Sequence, residues 1–144
     1  MVYHIMNEHS YIKAIHRLLP PTVYKWKIND NFHGGVADAY YSGKKGDMWI
    51  EYKYISKPPK KQSTVIKTCL TDQQLNWLKT RQNEGRKVAL VIGIEAPNGF
   101  KGKDNIVITD LNEPITLKTF SSSAVDKRGV AEYIIETVLR GTMH

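Results

Sequence analysis

Seven consecutive residues, Val88 to Ile94, carry no polar side chain. The run is rich in β-branched residues and bounded by Lys87 and Glu95. A strand of this kind sits comfortably only when both of its faces are covered. The segment therefore predicts a sheet with helices packed on either side. It is too short to cross a bilayer, which needs about 20 apolar residues.

The other segments supply the layers. Ile12, Ile15 and Leu19 recur at helical spacing, predicting a helix over residues 5–19 that Pro20-Pro21 stops. Thr22 to Ile28 alternates, with Tyr24, Trp26 and Ile28 on one face. Val36 to Ser42 and Met48 to Ile55 read as strands joined by the turn Gly43 to Asp47. Ser56 to Leu70 is irregular, and Pro58-Pro59 forbids helix there. Thr71 begins a second helix that Gly85 ends, and Thr71 with Gln74 forms a capping box. Pro97 to Gly102 reads as a loop and Asn105 to Thr109 as a strand. Asn112 to Arg128 has no clear period, and Ser121-Ser122-Ser123 looks flexible. Val130 to Arg140 is a final amphipathic helix. The order α-β-β-β-α-β-β-α predicts an α/β fold with a mixed central sheet.

The chain has 144 residues, the size of a single domain over 1–144. One cysteine, Cys69, excludes a disulfide scaffold and a cysteine zinc cluster, and points to a reducing compartment. No signal peptide is evident at the N-terminus, so a cytoplasmic location is expected, that of the host if a phage encodes the chain. The net charge of +7 and pI near 9.4 suit a polyanionic partner and no membrane. Between Tyr52 and Lys67 lie five lysines and no acid. Of these, Lys57, Lys60 and Lys61 occupy a loop that reads either as a solvated surface or as a phosphate-facing one.

Chemistry concentrates at Glu51-Tyr52-Lys53. Side chains alternate along a strand, so Glu51 and Lys53 share a face with Trp49 and Ile55. Burying charge among apolar neighbours is costly unless the charge is paired or bound to metal. With a hairpin turn of about five residues, Asp38 falls opposite Glu51 or Tyr52. Two carboxylates that close repel unless a cation lies between them. Oxygen donors of this kind suit Mg²⁺, or Mn²⁺ as a substitute, better than zinc. Glu8 precedes Ile12 by four and reads two ways: as an extension of the apolar stripe 8, 12, 15, 19 that joins the site, or as a first-turn acid facing the helix dipole. The histidines His4, His9, His16, His33 and His144 show no metal spacing. Trp77 and Leu78 read as core, and Tyr40 and Tyr41 as strand formers.

Asp38 and, thirteen residues on, Glu51-x-Lys53 follow the approach Gly34-Gly35-Val36-Ala37. They precede Thr71-Asp72-Gln73-Gln74-x-x-Trp77-Leu78. This arrangement, over roughly residues 5–95, resembles the PD-(D/E)xK nuclease superfamily. Within it the sequence most resembles the small stand-alone VRR-NUC nucleases of phages, and it is similar in layout to the archaeal-type Holliday-junction resolvases. Ala37 departs from the proline usual in the family, at a position that shapes backbone and carries no chemistry.

The resemblance implies a restriction-endonuclease-like fold with an α-β-β-β-α-β core. It implies a metal-dependent DNA endonuclease in which Asp38, Glu51 and the Tyr52 carbonyl ligate Mg²⁺. Lys53 would orient or deprotonate the attacking water, Glu8 would hold metal or its waters, and Gln74 would brace the site. With no recognition domain in view, selectivity for branched or junction DNA is expected, from a homodimer. The apolar stripe Val130, Ile134, Val138 suits either the core or a partner. Two alternatives stay open: a general repair or DNA-processing nuclease, and a catalytically silent DNA-binding protein. A metabolic Mg²⁺ enzyme fits less well, because no phosphate-binding glycine motif opens a helix.

Overall fold

The hairpin that holds Asp38 and Glu51 also organises the sheet. Strands β1 (Tyr24–Lys27), β2 (Ala39–Gly43), β3 (Gly46–Ile55), β4 (Val88–Ile94) and β5 (Asn105–Ile108) lie side by side in that order. The β3–β4 pair is parallel and the other three pairs are antiparallel, so the sheet is mixed. The structure, a computed structural model, describes residues 7–29, 34–57, 59–68, 70–95 and 104–141. His4, His33, Pro58, Cys69, the Pro97 to Gly102 loop and His144 lie outside them.

Every residue of β4 is buried, as its apolar run requires. On one sheet face, Ala89 and Val91 join Tyr41, Ile50 and Tyr52 beneath helices α1 (Glu8–His16) and α4 (Lys127–Ile135). On the other, Leu90, Ile92 and Ile94 meet Leu117 and Phe120 of α3 (Leu117–Ser123). Val88 packs there with Leu78 of α2 (Asp72–Asn83). These are the helices-on-both-faces layers that a mixed sheet needs.

Gly43 pairs with Gly46 across a two-residue turn, tighter than the five-residue turn expected. A Cβ on Gly43 would lie 2.5 Å from the Val138 carbonyl oxygen, so glycine alone lets the turn dock there. The Lys45 amide then donates to that carbonyl at 2.8 Å.

Three expectations need correction. The first helix spans Glu8–His16 and so ends short of the expected residue 19; its expected start at residue 5 lies outside the described residues, and the extended Asn7 caps the Ser10 amide with its side chain. Residues 112–128 are not irregular throughout. Thr116 caps α3, which continues through the serine run to Ser123, and within it the hydroxyls of Ser121 and Ser122 donate to the carbonyls of Leu117 and Thr119. The final apolar stripe is no partner surface: Val130, Ile134 and Val138 are each 0% exposed in the core. After α4 the chain makes a wider π-helical turn, Glu136–Arg140, and stops at Gly141. Among the described residues no helix is long and apolar enough to cross a membrane.

Candidate active site

The register places Ala39 opposite Ile50, which sets Asp38, one residue earlier, beside Glu51. The Tyr52 amide donates to Asp38 Oδ2 at 2.9 Å and so holds the carboxylate at the strand's edge. The approach to Asp38 is equally constrained. Gly35 has φ +92, and a Cβ there would lie 2.7 Å from the Gln73 carbonyl oxygen. That close approach seats the glycine loop on the first turn of α2.

Gln74, on the same turn, completes the arrangement. Its backbone amide donates to Thr71 Oγ1 at 3.1 Å, and its Oε1 accepts from the Thr71 amide at 3.0 Å. Both halves of the capping box are therefore present. The amide nitrogen, Nε2, is left to donate to Glu51 Oε2 at 3.2 Å. Lys53 Nζ sits 3.7 Å from the same oxygen.

Glu51 is 1% exposed, and its second oxygen, Oε1, is buried without a hydrogen-bond partner. Its carboxyl is pushed up to about 8, chiefly by burial and next by the Asp38 charge, with Lys53 partly offsetting both. A hydrogen bond with Asp38 and, least, the charge of Glu8 act in the same upward direction. A buried orphan oxygen beside a second carboxylate is the electrostatic signature of a site that fits a hard cation. Asp38 and Glu51 could supply two donors to such a cation. Among the described residues no group of three or more His, Cys, Asp or Glu gathers around one point.

Glu8 does not extend the buried stripe: it is exposed on the first turn of α1, where its charge reaches Glu51 only as the weakest of the influences on it. Lys57, Lys60 and Lys61 are all exposed on the segment after β3. Lys57 borders a groove of about 460 Å³ that begins at Tyr54 and Ile55, just past Lys53.

Sequence reasoning missed a buried polar chain on the opposite sheet face. His16 Nε2 lies 2.7 Å from the Tyr41 hydroxyl, which lies 2.6 Å from the Tyr52 hydroxyl. Burial, aided by Lys25 and Lys27, lowers His16 to about 4, so the ring is neutral at neutral pH. The available signal was the pair Tyr41 and Tyr52, polar-tipped residues at core-facing strand positions.

No family model and no curated protein matches the chain. Among solved structures it is similar to Hjc of Archaeoglobus fulgidus, a Holliday junction resolvase from an archaeal hyperthermophile, with a TM-score of 0.51. The two are 11% identical over 86% of this chain and 99% of that one. The chain thus has the mixed-sheet, nuclease-like fold expected of it. The narrower likeness to VRR-NUC nucleases gains no support from the family search.

Proposed function

We propose that this chain is a metal-dependent endodeoxyribonuclease of the PD-(D/E)xK type that acts on branched DNA. One observation carries the reading. The buried Glu51, with an orphan oxygen, lies against Asp38, and Lys53 and Gln74 converge on its other oxygen. Burying Glu51 with an unpartnered oxygen beside a second carboxylate is costly, so a structural role explains that pair poorly.

Asp38 and Glu51 would hold Mg²⁺ or Mn²⁺, with the Tyr52 carbonyl as a further donor and Glu8 reaching it through water. When bound, the cation would neutralise the carboxylates and stabilise charge growing on the phosphate. Lys53, whose Nζ lies 3.7 Å from Glu51 Oε2, would orient or deprotonate the attacking water and steady the charge building on the phosphate. Gln74 keeps Glu51 in one rotamer. Water would attack phosphorus while giving a proton to Lys53 or to bulk water, one P–O ester bond would break, and the departing oxygen would take up a proton. The exposed lysines 57, 60 and 61 suit contacts to backbone phosphates, which position DNA without reading its sequence.

Branched DNA is the proposed substrate because the fold matches that of a junction resolvase and the chain is strongly basic. Cutting both strands of a junction needs two sites related by a two-fold axis, hence a homodimer. Cleavage compared on linear duplex, single strand, flap and four-way junction tests this, with light scattering for the assembly. A dimer that prefers the junction supports it. Equal cutting of every substrate by a monomer leaves only a general DNA-processing nuclease, and no cutting of any leaves a silent DNA-binding protein.

A further inference from the structure

Alternation along three neighbouring strands lays a row of aromatic rings on the catalytic face. Trp26 of β1 pairs with Tyr40 of β2, and Tyr40 with Trp49 of β3. Trp49 precedes Glu51 by two residues, so it lies on the same face about 7 Å along the strand. The Tyr40 and Trp49 rings are 4.7 Å apart, and Trp49 meets Trp77 edge-on at 5.1 Å. The Tyr40 hydroxyl donates to Asp47, which fixes the ring. The half-buried end of the row is therefore held in place by its ring contacts.

The other end is open. Trp26 is 49% exposed, one of only three large apolar side chains left in solvent among the described residues. Between Trp26 and Trp49 lies a cleft of about 420 Å³, lined also by Lys27, Ile28, Asn29 and Val36. Among the described residues the lining holds no acid. A flat apolar wall of this kind is complementary to a nucleobase, and aromatic faces accept any base.

We propose that the cleft between Trp26 and Trp49 is a stacking site for an unpaired nucleobase on the strand whose phosphate lies at Glu51. The inference rests on the nuclease reading and narrows its substrate to DNA with an unstacked nucleotide beside the cut. Base-paired DNA cannot offer a base to this face without opening. The platform thus selects branch points and single-strand ends, whereas the lysine loop is indifferent to them.

The test uses a short single-stranded oligodeoxynucleotide carrying 2-aminopurine and a duplex of the same sequence. Binding of each is measured in chelator, where cleavage is not expected. The expected results are quenched 2-aminopurine with the wild-type protein and, in Trp26→Ala, a fall of about ten-fold in the ratio of single-strand to duplex affinity. Trp26→Phe, which keeps an aromatic face, should restore the ratio. An unchanged ratio in a folded Trp26→Ala overturns the proposal. So does equal loss on both DNAs accompanied by dissociation of a dimer, which would assign the cleft to a second copy of the chain. If the wild-type protein binds neither DNA, the nuclease reading itself has failed, and the stacking site falls with it.

Discussion

Gln74 donates to Glu51 at 3.2 Å with the same side chain that closes the capping box on Thr71. The start of α2 and the position of the buried carboxylate are therefore one structural unit. Thr71→Ala removes half of the cap and should cost about 1 kcal/mol of stability, leaving the Gln74–Glu51 bond in place. Gln74→Ala removes both. Thermal unfolding and cleavage of the two variants separate the roles. A Gln74→Ala loss in rate well beyond that of Thr71→Ala, at similar stability, supports bracing; equal rates leave Gln74 as a cap alone.

Single substitutions at the cluster should divide chemistry from binding. Asp38→Asn, Glu51→Gln and Lys53→Ala should each lower cleavage at least a hundred-fold, the scale of about 2.7–4 kcal/mol for removing one key electrostatic group. Affinity for DNA should stay largely intact. Glu8→Gln probes the outermost member. Turnover equal to wild type would make Glu8 a first-turn acid that serves only the helix dipole.

The raised Glu51 carboxyl has a stability consequence with a definite sign. Its value is 4.5 in the unfolded chain and about 8 in the fold. Between those values the folded state keeps a proton that the unfolded state has lost, so stability falls as pH rises through the window. In chelator, the melting temperature of Glu51→Gln should exceed that of wild type by a margin that grows from pH 5 to pH 8. Excess Mg²⁺ should shrink that margin by stabilising the ionised form. A margin that does not change with pH contradicts the burial argument.

The lysine loop should act through charge alone. Replacing Lys57, Lys60 and Lys61 with Ala should weaken binding to all sequences alike. It should also flatten the dependence of log affinity on log salt by about 0.9 for each duplex phosphate that the variant no longer neutralises. An unchanged slope returns these side chains to the solvated surface.

The heart of the site was legible because strand alternation and turn length are local rules. They placed Asp38 near Glu51 and Tyr52, and the hairpin register does the same even with a shorter turn. The capping box was equally local, being readable from Thr71 and Gln74. What failed depended on tertiary context. Glu8 looked like part of a stripe, but on the first turn of α1 it is exposed, with the burial on that helix confined to Tyr11, Ile12 and Ile15. The serines of α3 favour coil in isolation; burial of Leu117 and Phe120 overrides that preference. The stripe on the last helix was visible, but not what would cover it: a helix's apolar face carries no sign of whether β2, β3 or another chain lies against it.

If Asp38 and Glu51 form a cation-dependent hydrolytic centre for branched DNA, the most direct measurement is cleavage of an end-labelled four-way junction. Wild-type protein is assayed in Mg²⁺, in Ca²⁺ and in excess chelator, with Glu51→Gln alongside. The expected result is paired, near-symmetric nicks in Mg²⁺, binding without turnover in Ca²⁺, and no cleavage in chelator or by the variant. Undiminished cleavage in excess chelator, or by Glu51→Gln in Mg²⁺, would contradict it.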